Sequence, residues 1–462
     1  MPYVLGVHLG STVTTAATAR RDGSQWAAAT PVPLAGTGPV VPTVLCRVQD
    51  GSFVAGEAAA RQEINHHEWV ARGFTTRLGD DLPLVVGSEF VPPQRLVAAM
   101  IEWVADTVTH HQGHPPEHIA VAHSSTWGPH RIRLVQQALA QLGLSEVTMV
   151  PEPMAVAVDY AAKQKLEEHH PLVVANVGGS STDITVLRRR APSFEFVGSP
   201  LHSDHPSGQD LDDELVGLLR EGFGEQLDSL DPGDPAQRAA LTALRNECVR
   251  AKEALSRQPG ISMWLDLPAG RTEFALSRTR FEQLARPHLE RVPELISQAA
   301  QSVSLRTEDV ETVILAGGTA RVPLLQNLVG ERLQQPPLVD AAPELAAARG
   351  AAVAASKVLT TDTDQGSVAE TSVLMAVEGV DDAVPYDDEP EPVERPPIEV
   401  EPMPIEPPDE NKAKRMKYIK LSVAAALVLI GVLITFFAED TSFKGVLTLF
   451  QTVLHFGADR PS

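Results

Sequence analysis

The chain has 462 residues, 43% of them hydrophobic, which is enough for two or three domains with separate cores. Two cysteines exclude a disulfide framework, and a formal net charge of −22 without a basic patch argues against a nucleic-acid partner. We therefore expect a protein of a reducing compartment that does not bind nucleic acid.

Two apolar strands run into loops rich in glycine and hydroxyl residues. Residues 3–12 read YVLGVHLGST and residues 171–183 read PLVVANVGGSSTD, and a second apolar stretch follows each. Glycine lets a backbone approach phosphate oxygens closely, while N–H and hydroxyl groups donate hydrogen bonds to them. Each loop alone is equally typical of an ordinary hairpin, but the pair predicts the two halves of a phosphate clamp.

Residues 1 to about 360 alternate short Val/Leu/Ile runs with longer helical patterns, which is typical of an α/β fold. The helical patterns cover residues 93–111, 130–142, 210–220, 236–256 and 280–302. The composition then changes, because residues 361–411 hold nine prolines and 16 acidic residues against one arginine. Such a segment cannot bury a core, so we expect residues 361–417 to be an extended, disordered linker with a basic end.

Residues 418–438 are apolar, and no charged residue lies between 421 and 438. About 20 such residues cross a bilayer as a helix, and Lys420 can reach the interface through its long side chain. The alternative is a buried core helix, which the 24 following residues are too few to cover. Five basic residues between 412 and 420 predict a cytoplasmic N-terminal domain, a single-pass anchor in the cell membrane and a short extracytoplasmic tail over 439–462.

Further segments lie in a fixed order around the two loops. They read HIAVAHS at 118–124, MVPEPMAVA at 149–157, SGQDLD at 207–212, RNECVRAKEALS at 245–256 and VILAGGTARVP at 313–323. In this order and spacing, residues 1–360 resemble the nucleotide-binding domain of the 70-kDa heat-shock chaperone family, within the actin/sugar-kinase superfamily. The resemblance implies an α/β, actin-like ATPase fold of two lobes, about 1–170 and 171–360, each with a ribonuclease-H-like sheet.

The resemblance also implies a site for ATP or ADP. It implies phosphate contacts from the two loops, through Gly10, Ser11, Thr12, Gly178, Gly179, Ser180 and Ser181. It implies contacts with adenosine through Lys252, Ser256, Gly317, Gly318 and Arg321. Glu152 matches a carboxylate near the water shell of a magnesium ion, and Asp183 matches an aspartate near the attacking water.

The chain departs from the family at the positions that hold the hydrated magnesium. His8 and Asn176 stand where the family has aspartates, and the segment 74–79, where a catalytic lysine is expected, contains Arg77 but no lysine. Losing two carboxylates weakens a site for hard Mg²⁺, and histidine is a side chain that can carry a positive charge near neutral pH. We therefore expect no metal ligands here and regard a role for Mg²⁺ as doubtful.

These departures favour a protein that binds ATP or ADP and hydrolyses it slowly or not at all. It would act as a switch or scaffold at the membrane, for protein partners that the sequence does not name. Two alternatives stay open, namely an active ATPase or small-molecule kinase with an unusual catalytic set, and a nucleotide-free scaffold of an envelope or secretion complex. The linker and anchor stand where a complete chaperone carries its peptide-binding domain, so peptide clamping of the usual kind is not expected.

Overall fold

The computed structural model describes residues 1–364 except 24, 35, 37, 165, 167, 192, 269, 307 and 308. All of them belong to one compact unit, Met1–Asp381. The predicted membrane segment, the tail and most of the predicted linker lie outside the described residues. Within the described part of the chain, no helix is both long enough and apolar enough to cross a membrane.

Strands and helices alternate along the described chain. The strands are β1 (Tyr3–Leu9), β2 (Val13–Asp22), β3 (Gln25–Trp26), β4 (Thr30–Pro31), β5 (Val40–Pro42), β6 (Leu45–Arg47), β7 (Phe53–Ala55), β8 (Val70–Ala71), β9 (Leu84–Val86), β10 (Glu89–Val91), β11 (His118–His123), β12 (Val147–Pro151), β13 (Pro171–Val177), β14 (Thr182–Arg190), β15 (Ser193–Phe196), β16 (Leu201–Ser203), β17 (Gly260–Leu267), β18 (Gly270–Ser277), β19 (Thr312–Ala316) and β20 (Leu338–Val339). The helices are α1 (Gly56–His66), α2 (Pro93–Gln112), α3 (Pro129–Gln141), α4 (Glu152–Lys163), α5 (Gly208–Asp228), α6 (Pro235–Leu255), α7 (Arg278–Leu289), α8 (Arg291–Ser302), α9 (Pro323–Leu333) and α10 (Ala346–Asp364).

The first sheet has the strand order β12-β11-β1-β2-β3, and β4 and β5 also pair with β2. Strand β1 is antiparallel to β2 and parallel to β11, which is in turn parallel to β12. All seven residues of β1 are buried, as expected of a central strand that is covered on both faces. The loop that follows β1 therefore leaves the middle of the sheet from a rigid support.

The second sheet repeats this topology. Its strand order is β15-β14-β13-β19-β20, and β16 also pairs with β14. Strand β13 is antiparallel to β14 and parallel to β19, which is parallel to β20. The predicted α/β fold is confirmed, and the mixed sheets fit the actin-like ATPase fold.

Helix α10 returns to the first sheet, although the sequence placed residues up to 360 in the second lobe. It packs against β1, β11, β2 and α4. The contact is close because small residues face each other: a Cβ on Gly6 would overlap the backbone of Ala352, and a Cβ on Gly350 would overlap the carbonyl of Ala155. Together α4 and α10 form a buried cluster with apolar residues of both sheets.

Three elements differ clearly from the sequence prediction, and one of them is α5, which ends at Asp228 instead of at the predicted residue 220. The pattern over 280–302 forms two helices, α7 and α8, rather than one. Pro293 has no N–H to donate to the carbonyl of Leu289, which removes one hydrogen bond of a continuous helix at this point. Helix α10 also extends to Asp364, past the predicted start of the linker at 361.

Candidate functional site

A cleft of about 660 Å³ is bounded by the loop after β1 and the loop after β13. Most of the residues that the sequence singled out line this cleft, namely His8, Gly10, Ser11, Thr12, Glu152, Asn176, Gly178, Gly179, Ser180, Ser181, Asp183, Gly317 and Gly318. The structure therefore brings together residues that are more than 300 positions apart in the chain.

The two loops have the same backbone turn and touch each other across the cleft. The N–H of Gly10 donates to the carbonyl of Val13 at 3.1 Å, and the N–H of Gly178 donates to the carbonyl of Ser181 at 2.9 Å. The hydroxyls of Ser11 and Ser180 form a hydrogen bond of 2.5 Å between the loops. Hydroxyl groups from both sheets thus meet at one point of the cleft.

The second loop is held from behind by the first turn of α5. The N–H groups of Gly208 and Gln209 donate to the carbonyls of Gly178 and Gly179 at 2.9 and 2.8 Å. Ser207 caps the helix in a capping box with Asp210. These bonds fix the positions of the loop's carbonyl groups.

Glu152 is the centre of a buried polar cluster at the floor of the cleft. As the first residue of α4 it is 8% exposed, and its Oε1 atom lies 2.9 Å from Nε2 of His8 and 2.9 Å from Nδ2 of Asn176. His8 comes from β1 and Asn176 from β13, so the cluster joins the two sheets. Two nitrogen groups therefore point at the same carboxylate oxygen.

This arrangement does not fit a hydrated magnesium ion. Hard divalent cations select anionic oxygen ligands, and here the groups that face Glu152 are nitrogen atoms of His8 and Asn176. Nδ1 of His8 and Oδ1 of Asn176 are buried without a hydrogen-bond partner in the described part of the chain, which is a costly arrangement for polar atoms. Among the described residues, no group of three or more His, Cys, Asp or Glu side chains could hold a metal ion.

Asp183, the other predicted carboxylate, is paired with a histidine that the sequence analysis missed. His202 on β16 lies directly opposite Asp183 on β14, and its Nδ1 is 2.8 Å from Oδ1 of Asp183. This hydrogen bond, opposed by burial, raises the pKa of His202. No sequence motif marks His202, because the pair exists only through the register of β14 and β16.

An aromatic wall borders the cleft beside the first loop. The ring of Trp127, which lines the cleft, stacks on His123 with the ring centres 5.4 Å apart and an angle of 10° between the planes. Burial lowers the pKa of His123 to about 4, so the imidazole is neutral at pH 7. Its Nδ1 donates to the carbonyl of Ser124 at 2.9 Å, since a carbonyl oxygen can only accept.

Only some of the residues predicted to contact adenosine line the cleft. Gly317 and Gly318 line the cleft, whereas Lys252, Ser256 and Arg321 are not among the lining residues. Nζ of Lys252 donates to the carbonyl of Gly208 at 2.7 Å and to Oδ2 of Asp212 at 2.8 Å. Nε of Arg321 donates to Glu344 at 2.9 Å, and the hydroxyl of Ser256 to the carbonyl of Lys252 at 3.4 Å. These side chains bind groups of the protein and are not part of the cleft lining.

The segment 74–79 contributes threonines to the cleft but no cation. Thr75 and Thr76 line it, whereas Arg77 points away and binds Asp80 at 3.2 Å. Among the described lining residues, Arg131 of α3 is the one arginine or lysine. No sequence motif marks Arg131, because it lies more than 50 positions after the segment that it approaches.

The mixed sheets and the paired glycine loops fit the actin-like ATPase fold, and comparison with known proteins gives the family. A family model described as Hsp70 protein matches residues 80–377. The chain belongs to the Hsp70 family, and the resemblance seen in the sequence is confirmed.

Curated relatives of the chain are bacterial chaperones. It is similar to chaperone protein DnaK of Thermosipho melanesiensis, with 26% identity over 361 residues that cover 77% of this chain and 59% of the relative. It is also similar to chaperone protein DnaK of Elusimicrobium minutum, with 28% identity over 373 residues that cover 78% of this chain and 58% of the relative. The chain thus spans about three-fifths of the length of these relatives.

Proposed function

We propose that this protein is a membrane-anchored, Hsp70-like switch or scaffold that binds ATP or ADP with little dependence on Mg²⁺ and hydrolyses ATP slowly or not at all. The observation that carries the proposal is the cluster at Glu152. There, His8 and Asn176 replace carboxylates and direct nitrogen atoms at the one oxygen that both contact.

Phosphate binding is supported by the parts of the cleft that are intact. Both loops keep their glycines and hydroxyls, and the hydrogen bond between Ser11 and Ser180 places two hydroxyl groups where phosphate oxygens would enter. A phosphate between the loops would exchange this bond for bonds to its own oxygens. Hydrogen bonds to charged groups are stronger than neutral ones, so the exchange favours binding.

Weak catalysis follows from the charges. Phosphoryl transfer depends on positioning and on charge stabilisation, for which the family uses a magnesium ion held by carboxylates. In this chain Glu152 and Asp183 remain, and both are engaged by histidines, at 2.9 Å by His8 and at 2.8 Å by His202. Neither carboxylate is free to hold an ion or to orient a water without breaking its pair.

The membrane location is proposed from the sequence. The apolar run 418–438 has the length of a bilayer span, and the basic residues between 412 and 420 favour a cytoplasmic N-terminal domain. An acidic, proline-rich linker before the run would hold the domain away from the membrane surface. Nucleotide would then act through closure of the two lobes, which protein partners at the membrane would read.

Titration calorimetry on the full-length chain in detergent micelles tests this proposal. We expect ATP and ADP to bind with affinities that change less than about threefold between Mg²⁺ and EDTA, and phosphate release to be close to background. The double variant His8→Asp/Asn176→Asp restores the family carboxylates and is the matched control. In that variant, Mg²⁺ should raise ATP affinity by about tenfold or more, equivalent to about 1.4 kcal/mol. Rapid ATP hydrolysis that collapses on Glu152→Ala or Asp183→Ala would refute slow turnover and favour an active ATPase.

A nucleotide-free scaffold is the second candidate. It is favoured by the predicted adenosine contacts, since Lys252 pairs with Asp212 and Arg321 pairs with Glu344 instead of facing the cleft. The same titration separates the two functions. An absence of binding heat for both nucleotides, with and without Mg²⁺, would select the scaffold.

A further inference from the structure

The segment that lacks the expected lysine contains a cation that is already engaged. Nε of Arg77 lies 3.2 Å from Oδ2 of Asp80, and an Nη atom of Arg77 donates to the carbonyl of Leu82 at 3.1 Å. Arg77 is also absent from the residues that line the cleft. It is therefore a poor replacement for a lysine that contacts phosphate.

Arg131 lines the cleft beside the segment 74–79, although it belongs to a different element, α3. It lies in the first turn of α3, and its side chain packs over Gly79: a Cβ on Gly79 would lie 3.2 Å from both Cγ and Nε of Arg131. Gly79 has a φ of +88°, which already favours glycine. The lack of a side chain at Gly79 thus leaves room for the arginine against the segment 74–79.

The charge of Arg131 is not neutralised. In the described part of the chain, no carboxylate lies within ion-pair distance of its guanidinium, which donates to the carbonyl of Thr126 at 3.3 Å. Other cations near the cleft are paired: Lys252 with Asp212, and Arg321 with Glu344. A guanidinium has five N–H donors in a planar fork, so most of the donors of Arg131 are available to a ligand.

Among the described residues, the carboxylates that line the cleft are paired, whereas the lining cation Arg131 is not. The cleft lining includes the carboxylates Glu152, Asp183, Asp204, Asp210, Asp213 and Glu344. Each of them contacts a histidine or an arginine, so a polyphosphate that enters the cleft is attracted mainly by Arg131, which has no carboxylate partner in the described part of the chain. Arginine suits this role, since its fork can donate two parallel hydrogen bonds to one phosphate group.

We propose that Arg131 binds the terminal phosphate of ATP and takes the place of the lysine that is missing from residues 74–79. The assignment rests on the proposed function, since it needs a nucleotide in the cleft. Nucleotides with more phosphates should then bind more tightly, and the difference in affinity should come from Arg131 and not from a metal ion.

The test is calorimetric titration of the full-length chain in EDTA with ATP, ADP and AMP. Arg131→Gln removes the charge, and Arg133→Gln is the matched control on an exposed position of the same helix outside the cleft. We expect Arg131→Gln to lower ATP affinity by about 10- to 100-fold and AMP affinity by less than about twofold, as for loss of a charge-assisted hydrogen bond. Arg133→Gln should bind all three nucleotides as the natural chain does.

Arg131→Lys keeps the charge but loses the fork, and it provides a second variant if Arg131→Gln does not fold. We expect it to lower ATP affinity by an intermediate factor. Equal ATP affinity of the natural chain, Arg131→Gln and Arg131→Lys would overturn the assignment while leaving nucleotide binding intact. An equal loss for ATP and AMP would also overturn it, since the effect would then not follow the terminal phosphate. A natural chain that binds none of the three nucleotides would instead refute the proposed function.

Discussion

Breaking the buried ion pair between α4 and α10 should strongly destabilise the domain, because it leaves a buried charge without its partner. Nε of Arg349 lies 3.1 Å from both carboxylate oxygens of Asp159, and Nη2 lies 2.8 Å from Oδ2 of Asp159 and 3.0 Å from Oδ2 of Asp340. The side chains of Arg349 and Asp159 are 8% and 4% exposed. Replacing Arg349 by methionine leaves Asp159 buried without its main partner.

The expected loss for Arg349→Met is about 3 kcal/mol, at the low end of the range of about 3–5 kcal/mol for breaking a buried pair. It lies at the low end because Lys163 still contacts Asp159 and Asp340, each at 2.7 Å. The control is Lys163→Ala, which removes a cation from the same two carboxylates. The Lys163 side chain is 42% exposed, so this variant should lose no more than about 1 kcal/mol.

Urea unfolding of the full-length chain in micelles, followed by tryptophan fluorescence, measures both losses. The double variant Arg349→Met/Asp159→Leu removes both charges and should recover about 2 kcal/mol relative to Arg349→Met alone, since no unpaired buried carboxylate remains. Equal losses for Lys163→Ala and Arg349→Met would refute the reasoning, because burial would then not decide the strength of these pairs.

Three further predictions concern other parts of the domain. The pKa of His202 is raised in the folded state, so its pair with Asp183 stabilises the fold fully below about pH 6.5. This stabilisation is lost as the pH rises through the folded-state pKa of His202. The urea unfolding midpoints of the natural chain and His202→Gln should therefore differ more at pH 5.5 than at pH 8.5. Gly350→Ala should destabilise by about 3 kcal/mol or more in urea, because its Cβ would overlap a carbonyl of α4, whereas Gly217→Ala in α5 meets no atom within 4 Å and should be neutral or slightly stabilising. Burial raises the pKa of Cys248 to about 12, so iodoacetamide at pH 7.5 should label it in urea but not in the folded chain, as mass spectrometry will show.

Much of the fold follows from local sequence. The apolar runs before the two loops predicted buried strands, and β1 and β13 are buried where the runs lie. The spacing of the motifs indicated the Hsp70 family, because glycine loops and short strands leave a pattern that survives at about one-quarter identity. The predicted loop residues therefore line one cleft.

Contacts between segments that are distant in the chain could not be predicted from local sequence. The pairing of His202 with Asp183 depends on strand register, and the approach of Arg131 to Gly79 depends on how α3 packs beside α2 and β12. Lys252 and Arg321 fit the family pattern, yet carboxylates nearby in space hold them outside the cleft lining. A motif fixes which side chain is present, while its partner is set by the packing of the whole domain.

The sequence by itself determined the paired glycine-rich loops, the α/β class and the presence of His8 and Asn176 at the strand ends before them, because these are properties of residue type and spacing. Only the tertiary structure decided that His8 and Asn176 converge on one oxygen of Glu152. The physical reason is that the two residues stand on central strands of different sheets, and the packing of these sheets around α4 sets the distance between them. The sequence therefore sets which charged groups the cleft contains, and the fold sets their positions relative to one another.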